Sequence, residues 1–153
     1  MAASGGKLTA IQKRVLEALA SVEPPFVLGG GAALAGVYLG HRTTRDLDLF
    51  WRNRADSPLA ILAEKLCALL ERSELRDLID IEALVRNGEL LQTAIDDAPR
   101  RDSGFSPLTL ARILRTLDVA AMAPSSGIDP PAAQRLDDFR RWLIDRLVEP
   151  DER

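Results

Sequence analysis

The 153-residue chain has one cysteine, Cys67, and one histidine, His41. A single thiol excludes an intramolecular disulfide and fits a reducing, cytoplasmic compartment. There is no excess of basic charge. The formal net charge is −3, which argues against a protein that coats nucleic acid over its whole surface but leaves room for a local basic patch. Long apolar runs are also missing. None approaches a membrane span, and the N-terminal "MAASGGKLTA" lacks the apolar core of a signal peptide. No internal repeat or low-complexity tract is present. With 46% hydrophobic residues, a core is within reach. The expectation is a soluble cytoplasmic protein of one domain, or of one domain with a small helical appendage.

Periodicity sets out the elements. Ile11, Val15, Leu16 and Leu19 recur at helical spacing, and Pro24-Pro25 ends that helix. "FVLGG", Phe26 to Gly30, reads as a short strand, "AALAGVYL" as a short helix, and "DLDLFW" as a second strand. From Ser57-Pro58 onward the pattern is helical. Serine caps and proline fills the first turn before Leu59, Leu62, Leu66 and Leu69. Further helices are predicted over Leu75 to Val85 and Leu90 to Asp97, then after Ser106-Pro107. "APRRDSGFSP" reads as a loop and "APSSGIDPP" as a linker before a last amphipathic helix carrying Phe139, Leu143, Ile144 and Leu147. These readings predict an α+β (mixed α/β) fold with a small β-sheet and a mostly helical C-terminal part. The expected division is an N-terminal core over 1–55, a helical part over 56–122, and a linker with the final helix over 123–153.

The chemistry is concentrated between Gly29 and Trp51. Residues two apart on a strand share a face, so Asp46 and Asp48 are expected to present adjacent carboxylates. Such a pair repels unless a hard cation relieves it, and Mg²⁺ (or Mn²⁺) prefers carboxylate oxygens together with substrate phosphates. Gly29 to Gly31, between a strand and a helix, let backbone N–H groups approach a phosphate. A phosphate grip and a metal seat beside one crevice are the layout for phosphoryl or nucleotidyl transfer.

The stretch "FVLGGGAALAGVYLGHRTTRDLDLF" resembles the first motif of the nucleotidyltransferase superfamily, and more narrowly of the AbiEii/AbiGii-type toxin family. It matches at Gly30, Gly31, Ala33, Leu34, Gly40, Arg42, Thr44, Asp46 and Asp48. Ala32 departs from the family's usual hydroxyl. A second stretch, "LAEKLCALLERSELRDLIDIEALV", is similar to the family's later motif, a lysine on one helix and Arg-Asp-x-x-Asp on the next, here Lys65, Arg76, Asp77 and Asp80. The resemblance covers roughly Phe26 to Leu114 and leaves out the last helix.

The resemblance implies a reduced nucleotidyltransferase-like core and an enzyme that moves a nucleoside monophosphate from an NTP to an RNA or protein acceptor. It also implies a cognate antitoxin. Asp46 and Asp48 would hold metal and act in catalysis, Lys65 would contact a phosphate or the base, and the Asp77/Asp80 pair would position or activate the acceptor hydroxyl. Gly30, Gly31, Arg42, Thr44 and Arg76 would bind nucleotide.

One part of the family pattern is missing. Such enzymes carry a third carboxylate on a strand after the DxD strand, and no β-patterned run separates Asp48 from the Ser57-Pro58 helix start. The chain therefore reads as a member lacking an internal segment. The alternative function is a catalytically impaired remnant that binds nucleotide or a partner chain. Loss of a strand would also leave a sheet edge, through which a homodimer is expected. Bland readings stand beside the sharp ones. Arg76, Asp77 and Asp80 also fit an ordinary charged helix face with an Arg76–Asp80 pair. Trp51 and Cys67 fit core packing, and His41 a loop position.

Overall fold

The computed structural model describes residues 8–21, 26–34, 39–40, 43, 46–51 and 57–149. Two compact units are distinguished, Met1–Ile61 and Leu62–Arg153. In the first unit, helix α1 (Ala10–Leu19) begins with a reciprocal capping box. The Thr9 hydroxyl accepts from the Gln12 backbone N–H, and Gln12 Oε1 accepts from the Thr9 N–H at 2.8 Å. Strands β1 (Phe26–Gly29) and β2 (Asp48–Trp51) pair antiparallel, with Phe26 opposite Trp51 and Gly29 opposite Asp48. Between them, α2 (Gly30–Ala33) starts inside the glycine run and not after it, and it packs against both strands. Gly30 stands at φ +55°, a left-handed conformation that a Cβ would strain, so the chain can turn from strand into helix at that residue.

The expected mixed α+β class is not confirmed. Among the described residues, strand amounts to this one hairpin of two four-residue strands, and the protein is mostly helical. Two strands this short do not make a layer by themselves, since a sheet needs more strands or a covering element to bury a face.

Helix α3 (Pro58–Arg72) starts as its sequence predicts. Ser57 Oγ accepts from the Ala60 N–H at 3.1 Å, with Pro58 at the first helical position. Helices α4 (Leu75–Arg86), α5 (Leu91–Arg101), α6 (Pro107–Thr116), α7 (Val119–Met122) and α8 (Pro130–Val148) follow. Within the second unit, α4, α6 and α7 each pack on α8. The core is built from fully buried Leu66, Leu69, Leu78, Ile81, Leu84, Leu110, Leu114 and Leu143. Each such side chain contributes roughly 1.5–3 kcal/mol of burial free energy, so α8 is integral to the unit. Arg140 ties it further, donating from Nη1 to the Leu114 carbonyl at the end of α6 at 2.7 Å.

Two predicted irregular stretches are more ordered than composition suggests. Helix α5 runs through Pro99 to Arg101. Pro99 gives up one backbone donor, but Arg101 holds the last turn by donating to Asp97 at 2.9 Å and to Glu64 on α3 at 2.8 Å. The expected linker 123–131 is a tight corner. A 3₁₀ turn over Pro124–Ser126 ends at Gly127, φ +68°, and the Asp129 side chain caps α8 at the Ala132 N–H.

Candidate functional site

The first group of candidate residues lies at one end of the β1–β2 hairpin. The register sets Gly29 directly across the ladder from Asp48, and Gly30 begins the turn into α2. The glycine run and the second aspartate of the DxD are therefore neighbours in space although 18 residues separate Gly29 from Asp48. Asp46 precedes β2 and is exposed, so the strand alternation expected of the pair begins only at Asp48. Ala32, where the family usually carries a hydroxyl, is fully buried. Arg42 and Thr44 lie outside the described residues. Among the described residues, no three His, Cys, Asp or Glu side chains come together as a metal-binding group. The exposed Asp46 and its neighbour Asp48 are hard oxygen donors of the kind Mg²⁺ takes together with substrate phosphates, so the donor chemistry fits that ion.

The second group joins α3 to α4. Lys65 Nζ bridges two carboxylates, at 3.0 Å from Asp77 Oδ1 and 2.8 Å from Asp80 Oδ2. Both aspartates are fully buried, and the lysine side chain keeps 12% exposure. Asp77 and Asp80 are three residues apart and so lie on the same face of α4. Buried carboxylates persist as charges only where cations and hydrogen bonds compensate them, and Lys65 serves both.

A residue that the motif reading missed joins this network. Arg72 Nη2 donates to both oxygens of Asp77, at 3.1 and 3.2 Å. Its position seven residues after Lys65, two helical turns along one face of α3, is the signal that would have found it. Arg76, the arginine of the motif, points elsewhere. It pairs with Glu74 and is half exposed, so the alternative Arg76–Asp80 pairing is not the one formed. The chain reverses between the helices at Ser73, whose φ of +56° is unusual for a residue with a side chain, and this turn brings Arg72 onto Asp77.

Cys67 lies on α3, half-buried, with its Sγ 3.6 Å from the Ala98 carbonyl. Burial, with a smaller contribution from Asp102, pushes its pKa up to about 11. A thiol so shifted is a packing group and a poor nucleophile.

A family model described as "Nucleotidyl transferase AbiEii toxin, Type IV TA system" matches the chain in two stretches, residues 14–60 and 53–145. Together they cover well over half of the 153 residues and take in most of α8, which the motif resemblance leaves out. No curated protein and no solved structure matches the chain. The extent of the family match, over both the hairpin and the helical unit, decides the assignment: the chain belongs to the AbiEii nucleotidyl transferase toxin family of type IV toxin–antitoxin systems.

Proposed function

We propose that the protein transfers a nucleoside monophosphate from an NTP to an RNA or protein acceptor, in a manner dependent on Mg²⁺ or Mn²⁺ and restrained by a cognate antitoxin. The observation that carries this reading is the hairpin register, which sets the glycine run against the DxD. In the reaction, an acceptor hydroxyl oxygen attacks the α-phosphorus. The bond to pyrophosphate breaks, and the hydroxyl proton is released to solvent. The metal would supply charge neutralisation on the phosphates. Asp46 and Asp48 would hold it. Backbone N–H groups at Gly30 and Gly31 would approach the phosphates, with Arg42 and Thr44 in the same motif.

Lys65 is assigned to a substrate phosphate or base. It alone of the Lys65–Asp77–Asp80 trio has solvent exposure. Asp77 and Asp80 accordingly act through Lys65, by holding its ammonium, and not directly on the acceptor. Arg76 remains a nucleotide contact only by motif position.

Label transfer tests the reading. Purified protein is incubated with Mg²⁺, each α-labelled NTP and either total RNA or a protein extract, beside an Asp46→Asn/Asp48→Asn variant. Transfer by the wild type, reduced at least about 100-fold in the variant, is expected, since two charged metal ligands are lost. A folded wild type that labels nothing would reject it.

A second reading, the catalytically impaired remnant that binds nucleotide or a partner chain, also has an observation behind it. In the sequence, only eight residues, 49 to 56, lie between Asp48 and the Ser57-Pro58 helix start. The family match changes stretch in that same region, at residues 53–60, which agrees with an absent internal segment that would bear the third carboxylate.

A further inference from the structure

The α3–α4 network has a cation that the proposed function does not use. Lys65 is one ammonium shared between two fully buried carboxylates, and Arg72 lies on the Asp77 end of the same pair. Without Arg72, the Asp77 carboxylate would draw on the lysine more strongly, and an incoming phosphate would compete for the ammonium against that anion. With Arg72 in place, Asp77 is satisfied through both oxygens by a second donor. The arginine side chain is 41% exposed, so it supplies charge from the surface while Asp77 remains buried.

We infer that Arg72 is a positioning residue that balances the charge of Asp77 and so leaves the Lys65 ammonium available to a substrate phosphate. The inference rests on the proposal that Lys65 meets a phosphate. Arg76, which the motif places among the nucleotide contacts, takes no part in this network, since its side chain turns to Glu74. The groups of the network on its two helices are Lys65 and Arg72 from α3 and Asp77 and Asp80 from α4.

A corner clasp with no electrostatic role makes the opposite prediction, and amine labelling separates the two. The chain has three lysines, Lys7, Lys13 and Lys65, and Lys13 is exposed on α1, so it serves as an internal standard. The whole protein is acetylated with an N-hydroxysuccinimide ester at fixed pH, and the Lys65:Lys13 ratio is read by peptide mass spectrometry.

Arg72→Gln is expected to lower the ratio about tenfold, because the Asp77 carboxylate, without its second donor, holds the Lys65 nitrogen more tightly and keeps it from the ester. Asp77→Asn should raise it. Arg72→Gln/Asp77→Asn, which removes one charge of each sign, should return it to within about threefold of wild type. An unchanged or increased ratio in folded Arg72→Gln overturns the inference, since a loosened clasp would only expose Lys65. If Arg72→Gln does not fold, the double variant is compared with Asp77→Asn alone, and failure to bring the ratio back down overturns it equally.

Inorganic triphosphate added to the wild type forms a separate arm. Protection of Lys65 is expected. Absence of protection rejects the phosphate contact itself and with it the purpose assigned to Arg72, whatever the variants show.

Discussion

Replacing Lys65 by methionine should destabilise the helical unit strongly. Methionine keeps the length and apolar stem of the side chain and removes only the ammonium. Two fully buried carboxylates then lose the cation that bridges them at 3.0 and 2.8 Å. Removing one partner of a buried ion pair costs about 3–5 kcal/mol. Arg72 remains on Asp77, so the lower end, about 3 kcal/mol, applies to Lys65→Met.

Urea unfolding followed by circular dichroism at pH 7 reads this directly. At a slope of about 1.5–2 kcal/mol per molar, the midpoint should fall by roughly 1.5–2 M. Lys65→Met/Asp80→Asn should recover part of the loss, and Lys65→Arg should lose much less than Lys65→Met. A midpoint shift below about 0.3 M at pH 7, or a double variant no more stable than the single one, would refute the account of the network as a compensated buried charge set.

Cys67 should react slowly. With its pKa near 11 against an ordinary 9.0, its thiolate fraction at pH 8 is about 100-fold lower, so iodoacetamide alkylation of native protein should lag the urea-unfolded chain by about that factor. Because the folded pKa is raised, the same group stabilises the fold below pH 9 and that contribution is lost as pH rises through 11, visible as a falling urea midpoint that Cys67→Ala does not share. Gly30→Ala, at φ +55°, should cost about 1–2 kcal/mol, read from the same unfolding curves, whereas no loss would mean that the turn from β1 into α2 does not need that conformation. The hairpin has only two strands among the described residues, so each strand offers an edge. We expect a homodimer by light scattering at high concentration. A monomer at every concentration would exclude it.

Much of the local structure follows from the sequence because its signals act over three or four residues. Ser57-Pro58 and Ser106-Pro107 start α3 and α6 as their hydroxyls and prolines predict. The leucine spacing in α3 marks Leu62, Leu66 and Leu69, all fully buried. The stretches read as loop and linker fail for the opposite reason. Pro99 and the 124–131 corner look like breakers locally, but Arg101, Ala98 and the packing of α7 on α8 hold them in regular structure.

The family, the glycine–DxD and lysine–RDxxD motifs and the helical character of the C-terminal part are properties of sequence alone, because they depend on residue identity and spacing along the chain. Which charges meet is a tertiary matter. The antiparallel register decides that Gly29 faces Asp48. The left-handed turn at Ser73 decides that Arg72, and not Arg76, reaches Asp77. An ion pair between helices depends on how two surfaces are brought together, and no spacing within either helix specifies that.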